Sequence, residues 1–297
     1  MLGGWLTVIA VVVLLLVAVN FAIFLFACCE YGTSSNKNPW LRSTQTLSAQ
    51  ANDRPSVIML HGFGGTPKDF RALAELVAGR GFRVVVPAIP DQTGTSFAYR
   101  RGRTPPTAYI DWVHDLIRDE AALSGRPPML VGTSMGGALA VIGAADRGVS
   151  KLVLLSPYFS LAVHDQWVTR FTKVLRWIVP VIPKAAKAQI SDPDGYREYE
   201  TGSYLVSLRA FLQLAELAKI ARAKAPGLAL PILVLASRND TVASYGVTER
   251  LFQGRDQVHM VACDRGNHIL TYDFDRERVL TEVVEFLTGE TLPQRSS

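Results

Sequence analysis

The chain has 297 residues, 48% of them apolar and 19% charged. That is enough apolar mass for one large domain, and it excludes a disordered or collagen-like chain. The 31 basic and 26 acidic side chains leave a formal charge of +5, scattered rather than gathered into a basic stripe, so nucleic acid is not an expected partner.

Residues 5–27 (WLTVIAVVVLLLVAVNFAIFLFA) are apolar apart from Thr7 and Asn20, and as a helix they would span about 34 Å, enough to cross a bilayer. No Lys or Arg precedes Glu30, and the run exceeds the roughly 7–15 apolar residues of a secretory signal. This predicts a retained single-pass transmembrane anchor over 1–29. Lys37, Arg42 and Arg54 follow the helix, which by the positive-inside tendency favours a cytoplasmic domain. An exported lipoprotein is the alternative, because Ala27 precedes Cys28, and acylation of Cys28 or Cys29 at the membrane edge is another. With Cys263 the only other cysteine, neither a disulfide framework nor a CxxC metal site is available, and no metal is expected.

Residues 30–54 are rich in Ser, Thr, Asn and Gln without an apolar period and read as a polar tether. The folded unit is placed at 55–297. Its apolar runs at 56–60, 82–86, 129–132, 151–156, 231–237 and 257–262 are bounded by turn residues and apolar on both faces, as central strands of a mainly parallel sheet are. Helical spacing between them, and again in the final ERVLTEVVEFLTG, predicts helices on both faces.

The first strand runs into His61-Gly62-Phe63-Gly64-Gly65-Thr66, which lacks the Gly-Lys-Ser/Thr of a phosphate loop. Its backbone amides, Phe63 foremost, suit an oxyanion at the carboxyl edge of the sheet. His61 reads as a structural hydrogen-bonding residue. The run 129–132 leads directly into Gly132-Thr133-Ser134-Met135-Gly136-Gly137 and then a small-residue helix. A G-x-S-x-G at a strand-to-helix turn forces its serine into an exposed, strained corner, so Ser134 is the candidate nucleophile and the Met135 amide the second oxyanion donor.

Between Ser156 and Pro231 some 75 residues lack a strand-like run, too many for a simple crossover. Trp167, Phe171, Val174, Leu175 and Ile178 recur at helical spacing before stops at Pro180 and Pro183 and a polar loop. A small cap insertion is expected at about 158–200, with Trp167 and Phe171 as candidate walls of an acyl pocket. The second part, 203–224, reads as a helix covering the sheet.

A serine nucleophile needs a histidine base oriented by a carboxylate, in this fold in the chain order Ser, acid, His. His164 falls in the cap and His259 inside a strand, where a satisfied core histidine is the default. His268 follows the last strand in Asp264-Arg265-Gly266-Asn267-His268 and is the expected base. The strand 231–237 ends in Arg238-Asn239-Asp240-Thr241-Val242, which makes Asp240 the first choice of acid and Asp264 its rival.

HGFGGTPKDF, GTSMGG, SRNDTV and NHILTYDFDRERV together resemble the α/β-hydrolase superfamily, and within it the bacterial monoacylglycerol lipases and related carboxylesterases, over roughly 55–289. The resemblance implies an α/β-hydrolase fold, an ester hydrolase with a Ser134, Asp240, His268 triad, oxyanion donors at Phe63 and Met135, and a mobile cap admitting an acyl chain. A small-molecule or lipid ester would be the substrate, and no cofactor is implied. Soluble members lack an N-terminal membrane helix, and the cap matches no pattern that carries over. The same constellation serves thioesterases, amidases and serine peptidases, and a membrane-tethered binding protein on this fold is a further alternative.

Overall fold

A computed structural model describes residues 2–33, 38–47, 54–92, 102–162, 165–176, 179, 181–183, 189–200 and 205–290. Its first element, α1 (Leu2–Thr33), is one continuous helix without an amphipathic stripe, and Trp5, Leu14, Val17 and Phe21 are all exposed. Among the described residues no helix is long and apolar enough to cross a membrane. The described residues therefore do not supply the expected transmembrane span. The side chains of Cys28 and Cys29 lie outside them.

Part of the stretch read as a tether belongs to the domain. Asn38 caps a 3-10 turn at Pro39–Leu41 by accepting the Trp40 N–H at 3.1 Å, and β1 (Gln45–Leu47) follows. The next elements are β2 (Val57–Leu60), α2 (Arg71–Ala78), β3 (Val84–Val86), α3 (Pro106–Ser124), β4 (Met129–Thr133), α4 (Met135–Asp146) and β5 (Lys151–Leu155). The insertion holds α5 (Asp165–Leu175), β6 (Val181–Pro183), α6 (Pro193–Glu198), β7 (Leu205–Ser207) and α7 (Leu208–Lys224). The chain ends with β8 (Ile232–Ser237), α8 (Tyr245–Phe252), β9 (Val258–Cys263) and α9 (Arg276–Thr288).

Seven strands form one sheet in the order β1-β3-β2-β4-β5-β8-β9, all parallel except β1, which runs antiparallel to β3 at the edge. The six predicted strands are β2, β3, β4, β5, β8 and β9. Their unbroken apolar runs follow from a sheet covered on both faces. Ile58, Leu60, Leu130 and Leu154 point toward α3, α4, α7 and α8, while Val57, Met59, Val131 and Val153 point toward α2 and α9. The second part of the insertion is the expected sheet-covering helix: α7 packs on α4 through Leu214, Leu217, Ala218 and Ala221. Ahead of α7 the insertion holds what the sequence did not suggest, a two-stranded antiparallel sheet of β6 and β7.

The parallel order places the ends of β2, β4, β8 and β9 along one edge of the sheet, and the cap sits over that edge.

Candidate active site

Ser134 alone makes the turn between β4 and α4, at φ 52° and ψ −117°. Two glycines permit it: a Cβ on Gly132 would collide with the Gly136 backbone, and one on Gly136 with the Leu60 carbonyl. The turn is fixed from both sides. The Ser134 N–H donates to the Leu155 carbonyl at 3.1 Å, and the Ser134 carbonyl accepts from the N–H groups of Gly137, Ala138 and Tyr158.

The hydroxyl of Ser134 meets His268 Nε2 at 2.9 Å, and His268 Nδ1 meets Asp240 Oδ2 at 2.7 Å. A carboxylate only accepts, so Nδ1 carries the proton and the Nε2 lone pair faces the serine hydroxyl. The other oxygen, Asp240 Oδ1, accepts the N–H groups of Val242 and Ala243, each at 2.8 Å, which locks the carboxylate at the end of β8. All three side chains are buried. Asp264, the rival acid, forms an exposed ion pair with Arg238 at 3.0 Å and is no part of this chain of hydrogen bonds. His259 is also not a core residue: it is exposed on β9, 3.8 Å from Glu282. His164 lies outside the described residues.

The loop after β2 is held by its own hydrogen bonds. Gly64 N–H donates to Gln92 Oε1, Gly65 N–H donates to the Gly62 carbonyl, and His61 is fully buried. His61 Nε2 accepts the Ile89 N–H at 3.1 Å, so Nδ1 bears the hydrogen donated to the Gly62 carbonyl at 2.9 Å. This agrees with a structural His61. Phe63 directly precedes the two committed amides, and Met135 opens α4, where a helix leaves its first N–H groups without internal acceptors.

A cavity of about 270 Å³ lies over Ser134 and His268. Leu161, Ile182, Val206, Phe211, Leu214 and Val242 give it apolar walls, and Asp69, Gln189 and Thr271 contribute polar groups. Cys263, five residues before His268, offers no rival nucleophile, since burial pushes its thiol up to about 12. Among the described residues no group of three His, Cys, Asp or Glu side chains is arranged to hold a metal ion.

The alpha/beta hydrolase family matches residues 57–282, a span that contains every residue of this site. The chain belongs to that family. A thermostable monoacylglycerol lipase of Bacillus sp. (strain H-257) is 25% identical over 261 residues, covering 85% of this chain and 97% of its own length. A proline iminopeptidase of Lactobacillus delbrueckii subsp. lactis is 28% identical over 171 residues, 56% of this chain and 55% of its own. Among solved structures, the Paleococcus ferrophilus monoacylglycerol lipase superposes with a TM-score of 0.70 at 21% identity, covering 83% of this chain and 98% of that one. The likeness to monoacylglycerol lipases read from the motifs therefore stands.

In this hydrolase the cap lines the cavity differently from expectation. Phe171 is 68% exposed and does not line it; the Trp167 side chain lies outside the described residues. The insertion reaches the cavity through Ile182 on β6, Val206 on β7, and Phe211 and Leu214 on α7. Helical spacing marks an apolar stripe without saying which way it turns, and in α5 the buried residue is Thr172.

Two buried carboxylates escaped the sequence reading. Asp273 Oδ2 accepts the N–H groups of Ser191 (2.9 Å) and Asn267 (2.7 Å), and its Oδ1 those of Asp192 (3.0 Å) and Phe274 (2.9 Å). Asp275 Oδ2 accepts from Arg265 and Gly266. Together they hold the loop that carries His268, and Asp273 also ties it to the cap segment 189–192. Their signal was present as the two acids in YDFDRERV, directly after the base. Asp273→Asn, which turns an N–H donor toward backbone N–H groups, is expected to slow labelling of Ser134 by a serine-reactive phosphonate by roughly 10²-fold, the cost of a catalytic group displaced by about 1 Å. Asp264→Asn should label at the parent rate.

Proposed function

We propose that this chain hydrolyses carboxylic esters with an apolar acyl chain, in the manner of a monoacylglycerol lipase or carboxylesterase. The observation that carries the reading is the hydrogen-bonded series Ser134, His268, Asp240 at a strained turn beneath a mostly apolar cavity. Ser134 Oγ attacks the ester carbonyl as His268 Nε2 takes its proton, and Asp240 stabilises the imidazolium that forms. His268 then returns the proton to the leaving alcohol. Water repeats the attack on the acyl-enzyme, and Ser134 is released with the acid.

The backbone N–H groups of Phe63 and Met135 are the proposed oxyanion donors. Met135 adds the positive end of α4, which favours the charge that develops there. The apolar walls suit an acyl chain. At about 270 Å³ the cavity lies just below the roughly 300–1,000 Å³ usual for ligand sites. The match to a proline iminopeptidase supports amide hydrolysis as a second reading, separable only by substrate.

Purified protein assayed on esters of rising acyl length, a monoacylglycerol, a thioester and a prolyl amide tests the assignment. Rates should rise with each methylene by about 0.8 kcal/mol of transition-state binding, peak and then fall. A flat profile, or turnover confined to the amide, would overturn the ester reading. Ser134→Ala should lose on the order of 10³-fold or more in kcat, and Asp240→Asn should lose far more than Asp264→Asn.

Location is a separate proposal. The apolar run 5–27, helical within α1 and with most of its described side chains exposed, supports a membrane anchor with a cytoplasmic domain, the exported lipoprotein being the alternative. Deleting 1–30 should abolish membrane sedimentation and leave kcat on water-soluble esters unchanged. Protease added to intact cells, with any outer barrier opened, should spare the domain, and digestion would point to the lipoprotein; palmitate labelling lost in Cys28→Ser would overturn the simple anchor whatever the topology.

A further inference from the structure

We propose that Gln92, in the loop after β3, is the residue that positions the Phe63 amide to receive the oxyanion. The inference deepens the ester-hydrolase reading and rests on it in one respect, the taking of Phe63 as an oxyanion donor. Such a donor is effective because it is aimed before the charge develops, so whatever fixes the two peptide planes on either side of Phe63 decides its worth.

The plane that carries the Phe63 N–H is held at its carbonyl end. The Gly62 carbonyl accepts from His61 Nδ1 at 2.9 Å and from the Gly65 N–H at 3.0 Å. In a trans peptide the N–H points away from the carbonyl, so these two bonds turn the Phe63 N–H to the opposite side. This plane also lies against the nucleophile, since a Cβ on Gly62 would stand 3.2 Å from the Ser134 Cβ. The next plane is held from outside the loop: the Gly64 N–H donates to Gln92 Oε1 at 3.0 Å. With one plane fixed by the loop and the other by Gln92, Phe63 cannot rotate between them.

Gln92 is itself built to hold still. Its side chain is buried, and its Nε2 donates to the hydroxyl of Tyr109, a buried residue of α3, at 3.0 Å. An N–H on the Gly64 side requires the amide oxygen there, which sets the orientation of the group. The backbone that delivers it makes a tight turn. The Gln92 N–H donates to the Ile89 carbonyl at 3.1 Å, Asp91 takes φ 57°, and Thr104 Oγ1 donates to the Asp91 carboxylate. The Ile89 N–H meets His61 Nε2, so one turn grips the oxyanion loop at both His61 and Gly64. Gln92 does not line the cavity over Ser134 and has no bond to the triad, which leaves it a positioning role.

Gln92→Met fills the same space without the amide, and Tyr109→Phe removes the group that anchors the amide. In the full chain, kcat per titrated active site on a water-soluble ester should fall roughly ten- to a hundredfold in Gln92→Met with KM within about twofold, less than the 10²–10³-fold lost with a whole oxyanion donor because Phe63 is displaced and not removed. Two ketones of equal chain length, each titrated by calorimetry, separate aim from packing. With the trifluoromethyl ketone, Ser134 Oγ adds to the carbonyl carbon, the carbonyl π pair becomes the oxyanion and the hydroxyl proton passes to His268; the methyl ketone occupies the cavity without this addition. Gln92→Met should weaken the trifluoromethyl ketone by about the factor lost in kcat and leave the methyl ketone unchanged. An unchanged kcat overturns the proposal, and so does equal weakening of both ketones, which would mean a reshaped cavity. Should Gln92→Met fail to fold, Tyr109→Phe decides by the same pair: selective weakening of the trifluoromethyl ketone supports the role, and its absence overturns it. If the parent chain cleaves no ester yet binds the trifluoromethyl ketone, the ester reading fails and the ketone pair alone decides Gln92. A parent that does neither removes Ser134 as nucleophile and the proposal with it.

Discussion

Ser134 occupies a backbone conformation that a residue with a side chain avoids, and the site is built around keeping it there. Such a conformation costs on the order of 1–3 kcal/mol and persists only where its surroundings over-determine it. Here those surroundings are a parallel sheet and a helix packed too closely for any residue but glycine at 132 and 136. Strand β5 supplies the acceptor for the Ser134 amide, the start of α4 and Tyr158 supply donors for its carbonyl, and the close approach to Leu60 brings the loop of Phe63 beside the serine. One strained residue thus links the nucleophile to the backbone that would bind the oxyanion.

The partners of Ser134 come from loops, which carry no repetitive hydrogen bonding of their own. Buried carboxylates supply what the loops lack. Asp240, Asp273 and Asp275 each accept backbone N–H groups, and Asn267 adds two bonds to Thr241, at 3.0 and 3.1 Å, that join the Asp240 loop to the His268 loop. Ser237 contributes another link, donating to the Gly266 carbonyl. The imidazole is therefore positioned by a cross-linked pair of loops rather than by its own strand. A side chain of Asp240 that both orients His268 and caps its own turn leaves little freedom for the pair to drift.

Most of this was legible in the sequence wherever one residue or one local pattern decides the outcome. β2, β3, β4, β5 and β8 were readable because both faces are buried and the runs are unbroken, and β9, at the sheet edge, because its apolar run is interrupted only at His259. Ser134, Asp240 and His268 were readable because each follows a strand in the order the fold requires. β1 was not, since three residues at a sheet edge, burying little, leave no periodic trace. Nor was the strand pair β6 and β7, which is equally short. Phe171 was placed on the wrong side because the period of α5 is clear and its direction is set only by tertiary packing. Asp273 and Asp275 looked like surface acids, since their work is long-range acceptance of amides from segments up to 82 residues away.

The cap and the base are not mechanically independent. The Gln189 carbonyl accepts the N–H groups of both His268 and Ile269, at 3.1 and 3.2 Å, and Ser191 and Asp192 donate theirs to Asp273. Gln189 also lines the cavity, as does Ile182 seven residues earlier. A cap that moved as one body to admit substrate would therefore pull on the loop that presents the imidazole to Ser134. Two arrangements satisfy the hydrogen bonds. Either the segment 189–192 stays with His268 and opening is confined to α5 and the β6 and β7 pair, or opening breaks the alignment of His268 and closure restores it. The four amides that meet on the buried Asp273 carboxylate make the first arrangement the less costly, since leaving a buried polar group unpaired costs about 1–3 kcal/mol.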